Sequence, residues 1–257
     1  MTTMPHTALT ATEVADERRA GRRGGSIAIA SVVASLAALV VANAASSHGR
    51  LSEPGTGGGG TSRAEQRRQL VDFASHLGGQ EAAAALRCIG IALSIPVGLY
   101  LLDLIRRRGG SPPSWVRYPL FVGPVLIVAA TIFGFFALKD VSDTFVGSGV
   151  RSVARAHQLR EDSGALKGAG LFDVASRVIF AVWVGLVASH AMRVGLLTSF
   201  LGYWGIAGAF CLALQVPIGD AMYLSWLLSM GILALGYWPG GRPEAWDRRP
   251  AIDGPAL

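Results

Sequence analysis

Charged residues are scarce in this chain of 257 residues, and their scarcity is its first informative feature. Only 16% of the residues are Asp, Glu, Lys or Arg, whereas soluble domains contain about a quarter. Apolar residues make up 51% of the chain and are gathered into long blocks, without the short periods of a soluble helix or strand. The sequence therefore predicts that lipid surrounds much of the chain.

Sequence motifs of known enzyme chemistry are missing as well. The chain contains neither the Gly-Lys-Ser/Thr of a phosphate-binding loop nor the Gly-x-Ser-x-Gly turn of a serine nucleophile. His190 is the one histidine near an apolar block, whereas a haem held by two histidines needs a second one there. Three other histidines lack the spacing to a further ligand that a metal site requires: His48, His76 and His157. We therefore expect no enzyme activity, no cofactor and no metal.

Cysteine is nearly absent, and positive charge is in modest excess. Cys88 and Cys211 both fall inside apolar blocks, so we expect no disulfide. The net charge of +6 comes from basic residues at the ends of the blocks, without the aromatic interleaving of a nucleic-acid surface. These residues indicate membrane topology, and we expect no nucleic-acid partner.

Six apolar blocks reach or approach the length of a membrane-spanning helix, which needs about 20 residues. The predicted fold is therefore all-α, a polytopic bundle of six transmembrane helices in a bacterial cytoplasmic membrane. The predicted spans are residues 26–45, 83–105, 119–138, 174–192, 200–218 and 222–238.

Basic clusters beside the spans predict their orientation, because such clusters stay in the cytoplasm. Six spans put all four clusters on one side, with cytoplasmic tails at residues 1–25 and 239–257 flanking the bundle at 26–238. The outer loops are then residues 46–82 and 139–173. The clusters are Arg18, Arg19, Arg22 and Arg23, then Arg106, Arg107 and Arg108, then Arg193, and finally Arg242, Arg248 and Arg249.

The first block also fits a cleaved secretory signal peptide. Basic residues precede an apolar run, and Ala42, Asn43 and Ala44 match the small-residue cleavage pattern. The leader and the run are both long for a signal, which favours a retained helix. Cleavage would leave five spans with the same orientation.

The first outer loop contains an ordered element after a flexible glycine spacer at residues 55–60. Ser62 and Glu65 form a capping box, and an apolar face follows at Leu70, Phe73, Ala74 and Leu77. We expect an amphipathic helix on the outer surface, ended by Gly78 and Gly79. The second outer loop holds a weaker version around Val150, Val153, Ala154 and His157.

Polar groups in the spans are the candidates for function, because ionisable groups in lipid cost roughly 3 kcal/mol on insertion scales. His190 and Arg193 share a helix face near the inner end of span four and are candidate ligands for a substrate or an anionic lipid headgroup. Gln215 in span five is a candidate for hydrogen bonding between helices. Asp103 has a simpler explanation, an ion pair with Arg106 or Arg107 in the next turn.

Other unusual residues have structural interpretations. Arg87 and Arg177 are expected to extend their side chains to water from the outer ends of spans two and four. Asp220 is expected to cap the sixth helix. Pro96 and Pro124 are expected to kink spans two and three, either as architecture or as hinges of a transport cycle.

Two rows of small residues indicate close helix packing, within the chain or between copies of it. The expected partners are therefore the lipid bilayer and a second copy of the chain. The rows are Ala30, Ala34, Ala38 and Ala42, and Gly202, Gly205 and Gly208.

Short motifs in two places carry a resemblance to a known family. The second span contains Gly98, Leu99 and Tyr100 before its three arginines, and Arg193, Gly195, Leu201 and Gly202 lie at the inner turn after the fourth span. With these residues, the stretch 83–235 resembles an actinobacterial family of six-helix integral membrane proteins of unknown function. It departs from that family at Thr198 and Ser199, where Pro followed by Arg is the pattern. The resemblance implies a fold and no activity.

The sequence alone favours a structural or interaction component of the plasma membrane. The alternative is a small-solute transporter or permease, motivated by the kinked spans and by His190, Arg193 and Gln215. A membrane enzyme comes third. A transporter should direct Gln215, Trp183 and His190 into one polar cavity, whereas a scaffold should bury apolar side chains there.

Overall fold

The structure is a computed structural model that describes residues 6–8, 11–46, 62–239, 241, 243–246 and 248–250. The described chain is almost entirely helical, which confirms the predicted all-α class. The expected glycine spacer at residues 55–60 lies outside the described residues. The α-helices are α1 (Ala11–Ala44), α2 (Arg63–Ser75), α3 (Leu77–Arg107), α4 (Arg117–Gly147), α5 (Val153–Asp162), α6 (Gly164–Arg193), α7 (Ser199–Ala213) and α8 (Gly219–Leu235).

Short elements complete the described chain near its two ends and before α4. Two 3₁₀ turns cover Ser114–Val116 and Glu244–Trp246. Strand β1 (His6–Ala8) pairs antiparallel with strand β2 (Arg248–Pro250), with Thr7 opposite Arg249. This pairing brings two segments together that are separated by nearly the whole chain.

Within the described residues, four helical segments are long and apolar enough to cross a membrane: Arg19–Ala44, Leu77–Arg107, Ser114–Gly147 and Gly164–Arg193. They correspond to the first four expected spans. The expected fifth and sixth spans correspond to α7 and α8, which contain only 15 and 17 residues. Length and composition therefore support four spans directly.

Several helices extend beyond the apolar blocks that predict them. Helix α1 begins at Ala11, and α4 continues to Gly147 although its apolar block ends at residue 138. The added part of α4 carries Val141 and Phe145, which share a helix face and are buried by other helices instead of by lipid. Packing with neighbouring helices, which composition alone does not reveal, stabilises these extensions.

Contacts divide the chain into two compact units. The first unit comprises Met1–Ala30, Leu93–Phe121 and Ile179–Leu257. It contains α7 and α8 and the C-terminal parts of α3 and α6. Glycines allow its helices to approach closely, since a Cβ at Gly202 would lie 2.6 Å from Met192 Sδ and a Cβ at Gly25 would lie 2.8 Å from the Gly231 carbonyl oxygen.

The second unit comprises Ser31–Ala92 and Val122–Val178 and contains α2 and α5. Its apolar core joins Leu70 of α2, Val141 and Phe145 of α4, and Ala156 of α5. The Ser142 hydroxyl donates to the Leu70 carbonyl at 2.5 Å within this core. Hence the apolar face of α2 packs against other helices of this unit, and its place on the outer surface stays a prediction.

The ends of α2 test the capping prediction. The Ser62 hydroxyl accepts a hydrogen bond from the Glu65 amide at 3.3 Å, which confirms Ser62 as the N-cap. The expected stop at Gly78 and Gly79 is wrong, because α2 ends at Ser75 and both glycines lie in the first turn of α3. A Cβ at Gly79 would lie 2.7 Å from the Ala45 Cβ, so this glycine serves helix packing.

The small-residue rows face the interior at most positions. Ala38 and Ala42 are buried, whereas Ala30 is exposed and Ala34 is intermediate. All three glycines of the second row are buried in α7. The buried members therefore serve packing within the chain, and self-association through the exposed members stays a prediction.

Candidate functional site

An aromatic cluster occupies the interior of the first unit. Phe180 stacks on Trp183 with ring centroids 5.6 Å apart. Phe180 also meets Tyr223 edge to face at 5.3 Å, and Tyr223 lies 6.4 Å from Trp226. Helices α6 and α8 each contribute two of these residues at positions three apart, so the rings lie on one face of each helix. We name Phe180, Trp183, Tyr223 and Trp226 the aromatic cluster.

Two donors in the aromatic cluster are buried without a bond. The indole Nε1 groups of Trp183 and Trp226 have no hydrogen-bond partner among the described residues. The two side chains are 2% and 1% exposed, so both indoles are removed from bulk water. A buried donor left unsatisfied costs about 1–3 kcal/mol, which makes these two indole groups candidates for ligand contact.

Two glycines make room for the rings of the aromatic cluster. A Cβ at Gly98 in α3 would lie 2.5 Å from Trp183 Cζ2. A Cβ at Gly205 in α7 would lie 2.6 Å from Trp226 Nε1 and 3.0 Å from the Ala188 Cβ. Gly98 thus has a packing role beside Pro96, which lies inside the continuous helix α3.

The four candidate residues from the sequence do not form one site. Asp103 accepts from Arg107 at 2.7 Å across one helical turn, and both side chains are about half exposed. This is the local ion pair that the spacing predicts. His190 Nδ1 lies 2.9 Å from the Leu186 carbonyl of its own helix, whereas Arg193 at the helix end is exposed.

Gln215 lies in the turn between α7 and α8, not inside a spanning helix as expected. Helix α7 ends at Ala213 because the chain reverses over residues 214–218, and Gln215 adopts a φ of 54° there. Its Nε2 is buried and has no hydrogen-bond partner within the described chain. Helix α7 is about 22 Å long at 1.5 Å per residue. Gln215 follows the end of this helix and Arg193 precedes its start, so the two residues lie at opposite ends of α7.

Asp220 does not cap α8 as expected. The N-cap position is Ile218, which makes no side-chain capping bond, and Asp220 lies inside the first turn. A carboxylate there still interacts favourably with the positive end of the helix dipole.

The segment near the C-terminus docks on the first unit through Trp246. The Trp246 indole donates to the Leu196 carbonyl at 2.9 Å, and its own carbonyl accepts from Arg108 Nη2 at 2.5 Å. The side chains of Trp246 and Arg108 are both buried. From the sequence, Arg108 predicts topology only. Trp246 is not among the sequence-predicted residues, although a single Trp in a polar segment is a sign that the segment packs on the protein.

A buried ion pair lies in the second unit. Arg177 Nε donates to Asp173 Oδ2 at 2.9 Å, with side-chain exposures of 6% and 13%. Arg177 therefore does not extend into water, which corrects that expectation. Asp173 and Arg177 are four residues apart, the spacing of an ion pair on one helix face. This pair could be predicted only with the knowledge that α6 begins at Gly164 and so includes both residues.

Polar contacts link α2 and α5 in the second unit. Arg160 Nη1 donates to Gln69 Oε1 at 2.8 Å, and His157 Nδ1 lies 3.2 Å from Gln66 Oε1. Burial lowers the pKa of the Arg160 guanidinium from its usual value. These contacts complement the apolar core beneath them and fix the register of the two helices.

Comparisons with family models, curated proteins and solved structures return no match to this chain. The resemblance drawn from the sequence motifs therefore stays a prediction. Across the described residues, His, Cys, Asp and Glu form no group of three that could hold a metal ion.

Proposed function

We propose that this chain is an integral protein of the bacterial cytoplasmic membrane and acts there as a structural or interaction component. The observation that carries the proposal is the set of four helices long and apolar enough to span a bilayer. Their outward faces carry large exposed apolar side chains, such as Val33, Val40, Val125 and Phe136. Lipid is the solvent that accommodates such a surface.

The arrangement of the polar candidates supports a scaffold over a transporter. Trp183 packs within the aromatic cluster, His190 bonds to its own helix backbone, and Gln215 lies in the α7–α8 turn. A transport path would bring such groups to one cavity. The proposal therefore assigns no translocated solute and no catalytic chemistry to the chain.

One observation favours the alternative of a small-solute transporter. The two buried indole donors in the aromatic cluster have no bond within the described chain, and a solute with hydrogen-bond acceptors would satisfy them. Solute flux into proteoliposomes that is lost in the Trp183→Phe variant would establish this alternative.

We place both termini in the cytoplasm. The antiparallel pairing of β1 with β2 supports a common side for the two chain ends, and the basic clusters beside the spans support the inner side. Contacts of α1 support its retention as a helix, since the Ser31 hydroxyl donates to the Gly90 carbonyl at 2.6 Å. Exposed Arg193 then suits contact with anionic headgroups.

Topology mapping with single cysteines tests the proposal. In a Cys88→Ala, Cys211→Ala background, an impermeant maleimide should label Ser75→Cys only from outside and Ser111→Cys only from inside; both positions are exposed. Intact mass should show the full chain. Labelling of both positions from the same side would refute the proposal, and a mass lacking the first 44 residues would refute the retained first helix.

A further inference from the structure

The hairpin formed by α7 and α8 has helices shorter than the hydrocarbon core is thick. At 1.5 Å per residue, its helices are about 22 and 25 Å long, whereas the core is about 30 Å thick. The packing agrees, because a Cβ at Gly202 or Gly205 of α7 would meet Met192 or Ala188 of α6, and a Cβ at Gly185 of α6 would lie 3.6 Å from the Ala209 Cβ of α7. Helix α7 therefore accompanies only the C-terminal part of that 30-residue helix.

The tip of this hairpin is mostly apolar and exposed; its one polar side chain, Gln215, has a buried Nε2. Residues 214–218 carry no charge, and Leu214, Val216 and Ile218 are 58%, 40% and 58% exposed. Phe210, one turn earlier, is exposed as well. A loop that emerged into water would be expected to expose polar groups, whereas this surface suits acyl chains.

Most backbone amides of the tip donate to carbonyls within the hairpin, which lowers the cost of a turn inside hydrocarbon. The amide of Leu214 donates to the Phe210 carbonyl, that of Gln215 to Leu212, and that of Val216 to Cys211, at 3.0, 3.1 and 3.0 Å. Pro217 has no amide hydrogen, and the Gly219 amide donates to the Val216 carbonyl at 2.8 Å. The turn is also tight, because a Cβ at Gly219 would lie 2.8 Å from the Cys211 carbonyl carbon.

The opposite end of the hairpin carries residues that are typical of the membrane–water interface. Phe200 and Tyr203 near the start of α7 and Tyr237 after α8 are exposed aromatic residues, and exposed Arg193 lies just before the hairpin. Aromatic rings and arginines of this kind anchor at headgroup depth. The hairpin thus has an interfacial base and an apolar tip.

We propose that α7 and α8 form a re-entrant hairpin, which enters the bilayer from the cytoplasmic side, ends among the acyl chains and returns to the same side. This inference rests on the proposed function. It replaces six spans by four spans plus a hairpin whose partner is the acyl-chain region of the lipid. An even number of full spans is retained, so both termini still share one side.

Nitroxide and maleimide probes at the tip test the inference in the full chain. Single cysteines at Val216, and separately at Leu214 and Ile218, replace exposed side chains and should leave the fold intact. The maleimide should label none of them from either side of intact membranes. A nitroxide there should be more accessible to oxygen than to a water-soluble nickel chelate, as at the control position Val33, which is exposed on α1.

The outcomes separate this inference from the proposed function. Labelling of Val216→Cys from outside, together with Ser75→Cys, would mean a full crossing and overturn the hairpin. Labelling from inside, together with Ser111→Cys, would mean a tip in the cytoplasm and overturn it too. If instead the two serine positions were labelled from one side, the spanning bundle itself would be refuted.

Discussion

Replacing Gly219 by Ala should destabilise the chain because this residue of α8 lies directly against the backbone of α7. The new Cβ would lie 2.8 Å from the Cys211 carbonyl carbon, 2.9 Å from its oxygen and 2.9 Å from the Leu212 nitrogen. Favourable contacts lie at about 3.5–4.0 Å, so the hairpin must open by roughly 1 Å. The atoms in the way belong to backbone and cannot rotate aside.

The magnitude follows from two opposing effects. Overpacking of this kind costs about 1–3 kcal/mol. Helix propensity returns at most about 1 kcal/mol, and less at the first residue of a helix such as α8. We therefore expect Gly219→Ala to lower the free energy of unfolding by about 1–2 kcal/mol.

Gly208 in α7 provides a matched control. A Cβ there would lie 3.5 Å from the Met222 Cβ, an ordinary contact. Gly208→Ala should therefore leave stability unchanged or raise it by about 0.5–1 kcal/mol. Reversible unfolding by SDS in mixed micelles, followed by far-UV circular dichroism, measures both variants. Equal stability of the two would refute the close approach at the tip.

Two further predictions concern buried polar contacts. Asp173→Ala should lower the free energy of unfolding by about 3 kcal/mol, because it removes the carboxylate that pairs with the buried Arg177 guanidinium. Asp103→Ala removes an exposed ion pair and should cost under about 1 kcal/mol. The same unfolding assay compares them, and equal losses would contradict the assigned burial. Trp246→Phe removes the bond to the Leu196 carbonyl, worth about 1 kcal/mol. Proteolysis near the C-terminus should then be faster in Trp246→Phe and fastest in Trp246→Ala; identical rates in all three proteins would argue against docking of this segment.

Some features of the fold and of the candidate site could be predicted from local sequence. The spacing of Asp103 and Arg107 predicts their ion pair, and Ser62 with Glu65 predicts the start of α2. Both depend on residues within one helical turn, where geometry is set by the helix itself. The aromatic cluster and the Trp246 contacts join residues 40 or more positions apart in the chain, for which one sequence offers no spacing rule.

Composition and the apolar blocks by themselves indicated a helical chain suited to a bilayer and showed where basic residues gather beside the blocks. They predicted six spans, of which helix length and composition support four. Backbone groups left unbonded in lipid cost free energy, and each apolar block avoids this cost by forming a helix, without help from the rest of the chain. Tertiary structure decided the rest: α4 reaches Gly147 because α2 and α5 bury its end, and Arg177 is enclosed beside Asp173. It also decided that α7 ends at Ala213, because the tight contact of Gly219 with the backbone of Cys211 reverses a chain whose apolar run continues to residue 218.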